Sequence, residues 1–214
     1  MKQIKAVLFD VDGTLVDVRC LLEPFYKACD ELGVMKISEE TFFSKLVGHR
    51  PKEKLKELLE DVSEEKINRL YQKFKEEYLM SAENCKLLPG AKQVLRELKN
   101  RGYLVGIVTT KARDTARAVL NSHDLEYDVL VSAEDVKKIK PDAEPVKKAA
   151  EKLGVKAEEC VVVGDHVFDV CSANQAGAVS VGVLTGVSSK KKLSEAGAKF
   201  IIPDLTKLLE VLEG

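Results

Sequence analysis

Tryptophan is absent from this chain, and histidine (three), methionine (three) and cysteine (five) are scarce. The cysteines, Cys20, Cys29, Cys85, Cys160 and Cys171, are odd in number and never spaced C-x-x-C. That spacing lacks the paired ligands of a zinc site, and the length argues against a disulfide framework. All five are therefore expected to be small buried hydrophobes in a reducing compartment. A bias of charge is missing too. The 34 basic and 35 acidic residues leave a net charge of -1, which offers no bulk attraction for nucleic acid. No uncharged apolar run approaches the roughly 18 residues that a membrane span needs. The first apolar run, Ile4 to Phe9, meets Asp10 and then Asp12 instead of opening a signal-peptide pattern. A cytoplasmic protein without a membrane or nucleic-acid partner is expected.

What is present is a soluble, globular composition, 45% hydrophobic and 32% charged over 214 residues. Short apolar runs, most of them continuous, recur at Ala6–Phe9, Leu104–Val108, Val129–Val131, Cys160–Val163 and Val179–Val183, with Phe200–Ile202 a shorter sixth. Continuity, as opposed to alternation, marks strands buried on both faces of a parallel sheet. Amphipathic segments fill the gaps: Ala91 to Lys99, Thr115 to Leu120, Pro145 to Leu153 and Val167 to Ala176. Gly102, Gly154 and Gly177 follow helical patterns where a left-handed cap is useful. The alternation predicts a doubly wound α/β sheet.

One interval breaks that rhythm. From about Leu21 to Glu83 the apolar residues fall at helical spacing: Leu22, Phe25, Tyr26 and Cys29; Phe42, Phe43 and Leu46; Leu55, Leu58 and Leu59; Ile67, Leu70, Phe74 and Tyr78. The expected organisation is an α/β core over residues 1–16 and 86–214, with an all-helical domain over 17–85 inserted after the first strand. The Lys190-Lys191-Lys192 run is read as a solvated helix start.

Ligands of an open parallel sheet sit beyond the carboxyl ends of its strands. Asp10, Asp12, Gly13 and Thr14 follow the first strand, Thr109, Thr110 and Lys111 the second, and Lys140 lies in a proline-flanked loop after the third. Gly164, Asp165 and, one helical turn on, Asp169 follow the fourth. Asp10, Asp165 and Asp169 are hard oxygen donors suited to Mg²⁺. A cation there would let the Asp10 carboxylate approach a phosphate and form an aspartyl-phosphate. Asp12 could then serve as acid toward the leaving oxygen and base toward water, while Thr109 and Lys140 meet the phosphoryl oxygens.

Asp10-Val11-Asp12-Gly13-Thr14, then Thr109, then Lys140-Pro141, then Gly164-Asp165-x-x-x-Asp169 resemble, in order and position, the haloacid dehalogenase superfamily. The resemblance is to its helical-cap branch, which includes phosphoglycolate phosphatase-like enzymes and β-phosphoglucomutase. It implies a Rossmann-like core, Asp10 as nucleophile, Asp12 as general acid/base, Thr109 as phosphate-binding hydroxyl and Lys140 as stabilising lysine. Mg²⁺ would be held by Asp10, the main-chain carbonyl of Asp12 and Asp165, with Asp169 a direct or outer partner. Similar caps place a glycine-containing loop over the active site. That makes Gly48, His49 and Arg50 candidate substrate contacts, with Thr110 beside Thr109. Two residues depart from the commoner pattern: Thr110 stands where Asn is frequent, and His166 where a small residue often follows Gly-Asp.

The implied activity is Mg²⁺-dependent hydrolysis of a small phosphorylated metabolite by a monomer or small homo-oligomer. A sugar phosphomutase uses the same residues, but Thr14 leans toward the phosphatases. A dehalogenase has no need of Asp12 as proton donor. A phospho-receiver module is shorter, lacks a helical insertion and carries its aspartate on a later strand.

Overall fold

A computed structural model describes residues 3–213. The chain divides into two compact units, one formed by Met1–Val18 with Lys86–Gly214, the other by Arg19–Cys85.

The first unit is built on six parallel strands: β1 (Ala6–Phe9), β2 (Leu104–Val108), β3 (Val129–Val131), β4 (Cys160–Gly164), β5 (Val179–Val183) and β6 (Phe200–Ile202). Their order across the sheet is β3-β2-β1-β4-β5-β6. The chain therefore winds outward from β1 in one direction through β3, then crosses back to β4 and winds the other way. The neighbours of β1 are β2 and β4, so the switch point lies at β1, where open α/β sheets take their ligands. This is the doubly wound α/β architecture expected from the continuous apolar runs. Valines dominate the central strands, and β1 and β4 are buried along their whole length, because helices cover both faces. Leu8, Val108, Val131 and Val162 pack in one core cluster with Val146, Ala149 and Ala173 of the covering helices.

The second unit is helical. It holds α1 (Leu22–Leu32), a short turn of helix α2 (Glu39–Thr41) running into a π-helical turn over Phe42–Leu46, α3 (Pro51–Leu58) and α4 (Glu64–Ser81). Gly33 closes α1 in the left-handed conformation at φ 57°, and the Ser63 side chain caps α4 by accepting from the Lys66 amide. Phe25, Phe42 and Phe74 form its aromatic centre, with ring centroids 5.1 Å apart for Phe25–Phe42 and 5.6 Å for Phe25–Phe74.

The cysteines differ from expectation. Cys29 and Cys160 are buried free thiols, but Cys20 and Cys85 form a disulfide with Cα atoms 5.2 Å apart. The physical reason lies in how the chain leaves and rejoins the sheet. Val16 and Leu87 pair antiparallel, the Asp17 amide donates to the Lys86 carbonyl at 2.8 Å, and the Leu88 amide to the Leu15 carbonyl at 2.9 Å. Residues 65 apart in sequence are thereby brought side by side, a proximity that cysteine spacing alone does not reveal.

Candidate active site

Register explains why the functional side chains meet. Phe9 is level with Ile107 of β2 and with Val163 of β4. One step further, Asp10 is level with Val108 and Gly164, and its amide continues the ladder by donating to the Val163 carbonyl at 3.0 Å. Thr109 and Asp165 then stand one residue beyond, on either side of Asp10, with the Thr109 amide bonded to the Val131 carbonyl at 2.9 Å. The chain behind β4 turns into α5 (Val167–Ala176). Asp169 caps that helix by accepting from the His166 amide at 3.0 Å, and His166 is itself its N-cap residue.

Lys140 reaches into this group from the loop after β3. Its buried ammonium donates to Asp10 Oδ1 at 2.8 Å, to Asp169 Oδ1 at 2.5 Å and to the Val108 carbonyl at 3.0 Å. Burial acts to lower its pKa, but the charges of Asp10 and Asp169 outweigh that and hold the ammonium above its ordinary value. The sequence suggested that Lys140 would serve an incoming phosphoryl group. The structure commits all three of its N–H bonds to the protein.

Asp165 is held from two sides. Its Oδ1 accepts from the buried Thr14 hydroxyl at 3.3 Å and its Oδ2 from the Val187 amide at 2.8 Å. Gly13, at φ 78°, and Gly186 pack against the carboxylate so closely that an added Cβ would lie 2.6 Å and 1.9 Å, respectively, from Asp165 Oδ2. Thr185 ties this loop to the first by donating to the Gly13 carbonyl at 2.7 Å. Thr185, Gly186 and Val187 follow β5, whose carboxyl end opens on the same rim as that of β4; that strand end is the signal in the sequence that marks them.

The carboxylates of Asp10, Asp165 and Asp169 can each offer one oxygen within 4.8 Å of the others. Burial raises the Asp165 pKa well above the ordinary carboxylate value, and repulsion from Asp169 and Asp10 adds to it. Burial likewise raises Asp169; Lys140 opposes the shift and the net value is about 6. Asp12 points elsewhere. Lys111 donates to its Oδ1 at 3.0 Å and its Oδ2 at 2.8 Å, and burial still raises the Asp12 pKa against the pull of that ammonium. The sequence places Lys111 on this rim but gives it no partner, because a pairing across 99 residues leaves no local mark.

Four carboxylates therefore face two ammonium groups, and the two charges left over match one divalent cation. An oxygen donor set of this size and hardness fits Mg²⁺ better than a softer transition metal.

Thr109 is buried, and its Oγ1 accepts from the Lys111 amide at 3.2 Å, which leaves its own O–H to donate. Thr110 follows it, half-buried. Gly48, His49 and Arg50 belong to the helical unit, in the turn before α3. Gly48 has φ 83°, a His49 ring nitrogen lies 3.2 Å from the Val47 carbonyl, and Arg50 is the N-cap residue of α3.

Residues 7–183 match the family model described as haloacid dehalogenase-like hydrolase. The chain belongs to that family. A relative named pyrophosphatase PpaX, from Bacillus cereus, is 31% identical over 213 residues, covering 98% of this chain and 97% of that one. A solved hydrolase of Pseudomonas syringae superposes with a TM-score of 0.84 at 28% identity, over 98% of each chain. CbbY of Rhodobacter sphaeroides, solved with phosphate, has a TM-score of 0.88 at 22% identity over 99% of this chain and 100% of that one, and shares the fold of this haloacid dehalogenase-like chain.

Proposed function

We propose that this chain is a Mg²⁺-dependent phosphatase that works through an aspartyl-phosphate on Asp10, and that inorganic pyrophosphate is its first candidate substrate. The observation that carries the reading is the Lys140 ammonium bridging Asp10 and Asp169, with Asp165 close enough to complete a three-carboxylate cluster. The choice of substrate rests on the activity for which the Bacillus cereus relative is named.

Asp10, Asp165 and Asp169, with the Asp12 carbonyl, are the groups that would hold Mg²⁺. Once bound, the ion supplies Lewis acidity toward a phosphoryl oxygen and offsets the negative charge of the site. Lys140 fixes the Asp10 carboxylate, so that it is oriented before substrate arrives. Asp10 attacks phosphorus, the bond from phosphorus to the leaving oxygen breaks, and Asp12 delivers a proton to that oxygen. Asp12 then accepts a proton from the water that attacks the phosphorus of the acyl phosphate, which releases phosphate and restores Asp10. A raised Asp12 pKa favours this double duty, since the group must be protonated in the first step. Thr109 donates its hydroxyl to the transferred group.

The helical unit, taken over residues 17–85, is proposed as the cap domain, with Gly48, His49, Arg50 and Thr110 among the substrate contacts. A cytoplasmic location is part of the same reading. The test is phosphate release by purified protein from p-nitrophenyl phosphate and from pyrophosphate, with and without Mg²⁺. Metal-dependent release from both is expected. Accumulation of sugar phosphate isomers without free phosphate would point to a mutase instead.

A further inference from the structure

Two lysines sit in the same rim, and their commitments differ. Lys140 spends its three N–H bonds on Asp10, Asp169 and the Val108 carbonyl. Lys111 engages both oxygens of one carboxylate, that of Asp12, with 9% of its side chain exposed. Its backbone is pinned as well. The Lys111 amide donates to Thr109 Oγ1 at 3.2 Å, and its carbonyl accepts from the Ala133 amide at 3.0 Å. The next turn is braced across to the loop after β3 by the Arg113 amide on Glu134 at 2.7 Å and the Arg113 guanidinium on Asp135 at 2.8 Å. A lysine held this firmly beside Asp12 lies where the leaving oxygen must be, because Asp12 gives that oxygen its proton.

We propose that Lys111 is the leaving-group cation: it selects substrates whose leaving group carries its own negative charge, a second phosphate above all. This rests on the phosphatase reading above and adds to it the residue that selects the leaving group. An ammonium already bonded to Asp12 can share itself with an anionic oxygen next to the scissile bond without crossing the site. An uncharged leaving group such as a phenol gains nothing from it. Charge-assisted bonds of this kind confer discrimination of about 10- to 100-fold.

The test is calorimetric binding of two non-hydrolysable ligands at saturating Mg²⁺, methylenediphosphonate and methylphosphonate. The pair shares the transferred group and differs in the charged leaving group. Wild-type protein is expected to prefer the diphosphonate by about 10- to 100-fold. Lys111→Gln should bring the two affinities to within about threefold, whereas Lys111→Arg, which keeps the charge, should retain most of the preference. A wild-type ratio near one overturns the proposal, as does a Lys111→Gln variant that weakens both ligands by the same factor. Turnover is scored separately. Protein that shows the binding preference but releases no phosphate from pyrophosphate refutes the substrate chosen above while supporting Lys111 as the anion selector.

Discussion

Thr14 donates its fully buried hydroxyl to Asp165 Oδ1 across 3.3 Å, joining residues 151 apart. The bond ties the loop after β1 to the loop after β4, the two loops that carry Asp10 and Asp165. Thr14→Val keeps the shape and deletes the donor. It is expected to cost about 1–3 kcal/mol of stability and to weaken Mg²⁺ binding roughly tenfold. Chemical denaturation and a Mg²⁺ titration of activity read the two effects; unchanged metal affinity would show that Thr14 serves packing alone.

The raised carboxyl pKa values set a pH dependence with a definite sign. Asp169 moves from 3.8 to about 6 on folding, and Asp165 moves the same way. A folded state that holds these protons more tightly keeps their contribution to stability in full below about pH 4 and loses it as pH rises through about 6. Mg²⁺ competes with the same protons, so its stabilising effect should grow over that interval. Thermal melts with EDTA or Mg²⁺ should therefore separate more at about pH 7.5 than at about pH 5. An equal separation at both would exclude these carboxyls as the metal ligands.

Lys140 is the counter-charge for two buried carboxylates. Lys140→Met leaves Asp10 and Asp169 without it, at a cost of about 3–5 kcal/mol in metal-free protein. Turnover should fall on the order of 100- to 1,000-fold. Mg²⁺ is expected to restore part of the stability but little of the rate, because the ion replaces charge and not the hold on the Asp10 carboxylate. Melts and steady-state kinetics on one preparation distinguish the two.

The Cys20–Cys85 disulfide closes a loop of 65 residues. Loop entropy alone allows it about 4 kcal/mol of stabilisation. Reductant should lower the unfolding free energy of the wild type toward that of Cys20→Ser, and should leave Cys20→Ser itself unchanged. Equal sensitivity of both proteins to reductant would place the effect elsewhere.

How far the molecule could be read from its residues depends on the range of the interaction. The sheet was legible because most of its strands are continuous apolar runs, as in Cys160–Val163, and helix stops such as Gly177 at φ 80° are local. The doubly wound core, and the placing of Asp10, Lys140, Asp165 and Asp169 in one cluster, followed from those runs and from the rule that sites lie at strand ends. What was not legible is long-range pairing between side chains. Lys111 on Asp12, Thr14 on Asp165 and Cys20 on Cys85 have no mark in sequence spacing. The second helical segment was visible as a stripe of Phe42, Phe43 and Leu46, but not as a π-helical turn.

The most direct test of the central claim, that Asp10 attacks phosphorus, is to trap the intermediate. Protein quenched in acid during turnover of p-nitrophenyl phosphate is reduced with borohydride, which converts an aspartyl-phosphate to homoserine, and is then mapped by mass spectrometry. Homoserine is expected at position 10, together with a loss of activity on the order of 10,000-fold or more in Asp10→Asn. Homoserine at another aspartate, or an Asp10→Asn variant that still turns over at the wild-type rate, would contradict it.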